Sequence, residues 1–193
     1  MVPENVFDEV FKSFDDYFAS KNENIIKGLT VSMELETKGR TFYSTMYDQL
    51  KMELFHFLAD EELQHLKALE NVKEIIERRG QWVEVRETQL KLFGKPKLFK
   101  GEQTEPRITE ESSCRDALLA ALSVERKSEE FYDRMTEKVK DDDAKKFFIA
   151  LAGFERQHFE KIRKLLPEEE VNRVLSKLTD GRIHKHTRPR RFR

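Results

Sequence analysis

Apolar residues recur three and four positions apart through most of the chain, and that spacing predicts helices. Over residues 4–19, Phe7, Val10, Phe11, Phe14, Tyr17 and Phe18 fall on one face, and Pro3 suits a first turn. A long pattern runs from about Asn24 to Asp48. A second runs from about Lys51 to Arg79 and is closed by Gly80. The periodicity then lapses over residues 80–109, which hold Gly80, Gly94, Pro96, Gly101 and Pro106 and the extended stretch Trp82-Val83-Glu84-Val85. It resumes from about Glu110 to Lys140. Asp141 to Asp143 then mark the start of another helix, which runs to about Leu165. Pro167 and the three glutamates after it open a short helix, 167–180, ended by Asp180-Gly181. Residues 181–193 form a basic tail.

Four long helices in two hairpins, joined by about 30 irregular residues, predict an all-α four-helix bundle over 24–166 with one long crossover at about 80–109. A helix of 25–30 residues is about 40 Å long, a span that a linker of this length bridges easily. Residues 1–23 add an amphipathic helix outside the four.

The two hairpins are copies. A shift of 89 superposes Leu29, Glu36, Lys38, Phe42, Tyr43 and Met46 on Leu118, Glu125, Lys127, Phe131, Tyr132 and Met135. A shift of 93 superposes Leu58, Ala59, Glu62, Gln64 and His65 on Leu151, Ala152, Glu155, Gln157 and His158. The first hairpin is therefore shorter at its tip by about one helical turn. A single Glu-x-x-His match means little, because the composition alone predicts about 0.7 of them. Glu53/His56 is such a match. His56 lies nine residues before His65, on the opposite side of its helix, and has no counterpart in the second hairpin.

Glu62/His65 and Glu155/His158 recur on otherwise apolar stripes: Phe55, Leu58, Ala59 and Leu69 in one helix, Phe148, Leu151, Ala152 and Ile162 in the other. Glu36 and Glu125 sit mid-stripe on the remaining two helices. Burying one unpaired carboxylate costs several kcal/mol, and four together repel one another. No set of buried cations in the sequence offsets them. Two divalent metals would, and four carboxylates with two imidazoles suit a pair of Fe or Mn ions. Tyr43 and Tyr132, two turns after Glu36 and Glu125, share the same faces and can reach a ligand carboxylate.

Composition narrows the choice. Lys+Arg is 36 and Asp+Glu 37, a net charge of −1, so binding nucleic acid through the whole surface is excluded. The tail carries a net +6, most simply read as contact with an acidic protein surface. Cys114 is the one cysteine, which excludes a disulfide framework and any four-cysteine metal site within this chain. No apolar run approaches the length of a membrane span, and five acids among the first 18 residues do not fit a secretory leader. The expectation is a cytoplasmic protein.

The paired motifs, with their flanking Leu-Ala and Phe-Tyr, resemble the rubrerythrin branch of the ferritin-like di-iron carboxylate family over about residues 24–165. The resemblance implies two Fe ions, with Mn or Zn as substitutes. It implies Glu36 and Glu125 as terminal carboxylates, Glu62 and Glu155 as bridging ones, and His65 and His158 as one cap for each metal. It implies reduction of peroxide or O2 and protection against oxidative stress. Iron oxidation and storage, or a non-catalytic metal scaffold, are the alternatives. Rubrerythrins proper add a four-cysteine rubredoxin domain, so here electrons would come from a separate donor such as rubredoxin. They also carry a further Glu one turn after the ligand corresponding to Glu125, where this chain has Ser128, followed by Glu129. Finally, the apolar stripe of residues 4–19 can cover the bundle's outer face or another subunit, and with the length of the linker it leads us to expect a homodimer, with exchange of hairpins between subunits as one route. The interface would bury that stripe or Trp82, Phe93 and Phe99.

Overall fold

The computed structural model describes residues 7–19, 25–80, 82 and 112–186, with side chains in the last segment for residues 113–179. Among the described residues are six helices: α1 (Asp8–Ala19), α2 (Ile25–Leu50), α3 (Glu53–Arg79), α4 (Ser112–Lys138), α5 (Asp142–Arg163) and α6 (Glu168–His186). There is no strand among the described residues. Helices α2 and α3 form one hairpin, α4 and α5 the other, and the two pack into a single four-helix core. None of the helices described is long and apolar enough to cross a membrane.

Local chemistry sets the ends. Gly80 closes α3 at φ 70°, a left-handed conformation that a glycine adopts without a Cβ penalty, and its N–H donates to Ile76 O. Asp141 caps α5, its Oδ1 accepting from the N–H groups of Asp143 and Ala144 at 2.9 Å. The two-residue tip between α2 and α3 places Lys51 at φ 56°. Between α4 and α5 the connection, 139–141, is one residue longer, and the extra turn that the two repeat shifts require lies mainly at the start of α5, Asp142 to Lys145.

One expectation changes, and one alternative is decided. The last helix does not stop at Asp180-Gly181 but continues to His186, into the segment expected to be tail. A glycine inside a helix costs only about 1 kcal/mol relative to alanine and does not by itself end one. The stripe on the first helix is taken up by this same chain. Phe14 stacks on Phe131 with centroids 4.0 Å apart, Phe7 meets Phe42 edge-on at 5.7 Å, and Tyr17 is buried. Lys127 lies over the Phe11 ring and Arg134 over Phe18, so basic side chains of α4 clasp the helix. Trp82 likewise packs on Phe147 and Phe148 of its own chain. Phe93, Phe99 and the rest of the crossover lie outside the described residues.

Candidate metal centre

Heptad-like apolar spacing turns one face of each long helix inward, and the ligand-type residues lie on those faces. Glu36 comes from α2, Glu62 and His65 from α3, Glu125 from α4, and Glu155 and His158 from α5. All six are at most 4% exposed. They form two overlapping groups: Glu36, Glu62, His65 and Glu155, and Glu62, Glu125, Glu155 and His158. In each group the four ligand atoms lie within 4.8 Å of one another. His65 Nδ1 is 3.3 Å from Glu36 Oε2, 3.5 Å from Glu155 Oε1 and 3.7 Å from Glu62 Oε2. His158 Nδ1 is 3.3 Å from Glu62 Oε1 and 3.5 Å from Glu125 Oε2. The imidazoles stack with centroids 5.4 Å apart. Glu62 and Glu155 belong to both groups, so each group draws on both hairpins.

The tyrosines tie the hairpins crosswise. Tyr43 of α2 donates its hydroxyl to Glu125 Oε1 of α4, and Tyr132 of α4 donates to Glu36 Oε1 of α2. The sequence placed them near the site; it did not show that each serves the opposite hairpin. Glu53 and His56 stay outside. His56 is exposed and stacks on Tyr47, whose hydroxyl is 3.4 Å from Glu53 Oε1. Gln157 faces solvent and donates to Gly153 O, and Gln64 is half-buried, away from the cluster.

Electrostatics separate the four carboxyls into two pairs. Burial, with the charge of Glu36 beside it, pushes Glu62 well above the usual carboxylate range. Burial and the charges of Glu62, Glu36 and Glu125 do the same to Glu155. Burial also acts on Glu36 and Glu125. There it is outweighed, by the hydrogen bond from Glu62 and the charge of His65 at Glu36, and by His158 at Glu125, so both sit below the usual range. Burial opposes protonation of His65, but the carboxylates of Glu36, Glu155 and Glu62 beside it lift it well above an ordinary histidine. Tyr43 and Tyr132, buried beside carboxylates, are raised well above an ordinary tyrosine and remain donors. Without metal the shared carboxyls thus hold protons where a cation would otherwise balance the charge.

The donor set fits divalent metal. Glu36 Oε2, Glu125 Oε2, Glu155 Oε1 and His158 Nδ1 are buried with no hydrogen-bond partner among the described residues. Such atoms are costly unless something binds them. Carboxylate oxygens and imidazoles are ligands for first-row metals such as iron and manganese.

Gly39, Ser128 and Glu129 complete the surroundings. A Cβ built on Gly39 would lie 3.3 Å from the Glu62 carboxyl carbon, so the missing side chain makes room for a shared ligand. The repeat places Ser128 opposite Gly39, two small residues three positions after a ligand glutamate, and that was the available signal. Ser128 turns its hydroxyl to Val124 O at 3.0 Å. Glu129 is buried but faces Arg126 and Arg156, at 2.8 Å and 2.6 Å, so it is not a ligand of this cluster.

A four-helix bundle that buries four glutamates and two histidines in two overlapping ligand groups defines a metal-binding carboxylate protein. The family model for rubrerythrin matches residues 27–166, most of the chain, and the chain belongs to the rubrerythrin family. No match is found among curated proteins, and none among solved structures.

Proposed function

We propose that the bundle holds two iron ions and reduces hydrogen peroxide or O2 with them, drawing electrons from a separate donor of the rubredoxin kind. The observation that carries this reading is the sharing of Glu62 and Glu155 between two ligand groups, the arrangement needed to hold two metals side by side. Bound iron supplies Lewis acidity and reducing electrons. Glu36 and Glu125 close the two ends, and each keeps its orientation through a tyrosine hydroxyl on one oxygen. His65 and His158 supply one imidazole apiece. Leu58, Leu151, Phe55 and Phe148, all fully buried, line the same faces and keep bulk water out. Glu62 and Glu155, whose burial favours their protonated forms, would give up those protons on holding a metal.

We take the reaction to run in the cytoplasm, as a homodimer. With one cysteine in the sequence, Cys114, no rubredoxin-type iron can be held in this chain. Anaerobic iron titration should reach two ions per chain. One addition of peroxide should then oxidise them once, and sustained peroxide consumption should require rubredoxin and its reductase. Oxidation by O2 with growth of a ferric mineral would instead favour storage, and binding without any oxidation would favour a scaffold. Sedimentation tests the dimer, which a monomer at micromolar concentration would reject.

A further inference from the structure

The two halves of the repeat carry nearly the same aromatic pair beside their tyrosines. Tyr43 stacks on Phe55 with centroids 6.1 Å apart and planes at 18°. Tyr132 stacks on Phe148 at 6.2 Å and 21°. The second half then continues outward. Trp82 lies 6.1 Å from Phe148 and 5.7 Å from Phe147. In the first half the counterpart of Phe147 is Leu54, and no described tryptophan extends the stack. Trp82 is half-buried, yet its indole Nε1 is buried with no hydrogen-bond partner among the described residues. A buried N–H without an acceptor is unfavourable, and a phenylalanine would fill the same apolar site without that cost.

We propose that Trp82 is the outer end of an electron path into the metal centre, a role that rests on the functional reading above. An electron leaves the partly buried indole, crosses the ring contact with Phe148, reaches Tyr132, and passes through its hydroxyl to the Glu36 carboxylate. Ring-to-ring contact keeps each gap short. Tryptophan and tyrosine are the readily oxidised members of the series, and Phe148 serves as the bridge between them. When a donor is present, the donor refills Trp82. When none is present, Trp82 supplies electrons irreversibly. The indole gains the oxygen of one water and loses two electrons and two protons, and peroxide takes those electrons and protons to become two waters. The net change is one peroxide consumed, one hydroxylated tryptophan formed and one water released.

Trp82 is the one tryptophan of the chain, so its fate is directly readable. Iron-loaded protein without a donor is treated with excess peroxide, the first equivalent taking its two electrons from the two ferrous ions and the second taking two from Trp82; iron oxidation is followed by absorbance, and the iron is then chelated away. Indole fluorescence and peptide mass are read afterwards. The expected result is loss of up to one tryptophan per chain, with one oxygen added at Trp82, and no loss in metal-free protein. Tyr132→Phe and Phe148→Leu should abolish most of the loss. Tyr47→Phe, at a tyrosine that lies against His56 and outside the ligand cluster, should not. Equal loss in all variants, or iron oxidation that leaves Trp82 intact in the wild type, overturns the path alone. Absence of iron oxidation overturns the functional reading and the path with it.

Discussion

Replacing Glu155 with glutamine isolates the electrostatic cost built into the site. Glu155 is 2% exposed, belongs to both ligand groups, and has one oxygen without a donor. Its carboxyl is held well above the usual range, as is that of Glu62. A raised folded-state value means that the folded chain keeps a proton which the unfolded chain releases. Stability from that source is complete below about pH 4.3, the ordinary glutamate value, and is lost as pH rises through the folded-state values. Each such proton gives a slope of about −1.4 kcal/mol per pH unit. Glu36 and Glu125, with lowered values, act in the opposite sense, but only at or below the ordinary glutamate range. Metal-free wild type should therefore lose stability as pH rises from about 5 to 7. Glu155→Gln has the volume of the protonated acid and cannot ionise, so its slope should be smaller by about 1.4 kcal/mol per pH unit where both shared carboxyls are in play. Urea unfolding in chelator at several pH values measures this, with the m-value as a check that the unfolded state is unchanged. The same variant should lose its second metal, because a neutral amide replaces a shared carboxylate. Parallel slopes for the two proteins, or metal-free stability that rises across this window, would refute the reasoning.

Metal loading near neutral pH should release protons from Glu62, Glu155 and His65, so the apparent binding enthalpy should vary with the ionisation enthalpy of the buffer, and calorimetry in two buffers reads the number released. Gly39→Ala should gain up to about 1 kcal/mol of helix propensity yet weaken metal binding, because the new methyl displaces the Glu62 carboxyl; thermal melts with and without metal separate the two effects. Phe14→Ala should cost about 3–5 kcal/mol by removing a ring stacked on Phe131, while leaving the metal-to-protein ratio at saturation unchanged.

The architecture was legible because the signals were periodic and repeated. Each long helix carries its apolar stripe over six turns or more, and the caps at Gly80 and Asp141 are residues whose preference is local. The six ligand-type residues were legible because they form three pairs at the repeat shifts of 89 and 93, which chance does not provide. What escaped was what depends on the partner across the bundle. Glu129 reads as a spare ligand beside Ser128 until Arg156, from another helix, is seen to hold it. Gly39 reads as a weak point in a helix until Glu62 is seen against it. Gly181 reads as a stop signal, because a glycine at a helix end and a glycine inside a helix look alike in a sequence. The Phe stripe of α1 could not be assigned to a partner from its own pattern, since an apolar face specifies burial and not what buries it.

Within each hairpin the contact is continuous, α2 along α3 and α4 along α5, whereas α2 and α4 meet over a much smaller surface. The polar ties that cross between hairpins converge on the ligand cluster: Tyr43 to Glu125, Tyr132 to Glu36, Glu155 beside His65, and Glu62 beside His158. Neither hairpin holds a complete ligand group, since the first lacks Glu155 and the second lacks Glu62. Metal therefore binds the union of the hairpins and not either one alone. By mass action, free metal at 100 times its dissociation constant adds about 2.7 kcal/mol to that union per site. The carboxylates that weaken the empty bundle are thus the groups that make the loaded one stable. A near-copy of each hairpin in a second chain would satisfy the same ligand groups, which makes hairpin exchange compatible with an unchanged centre.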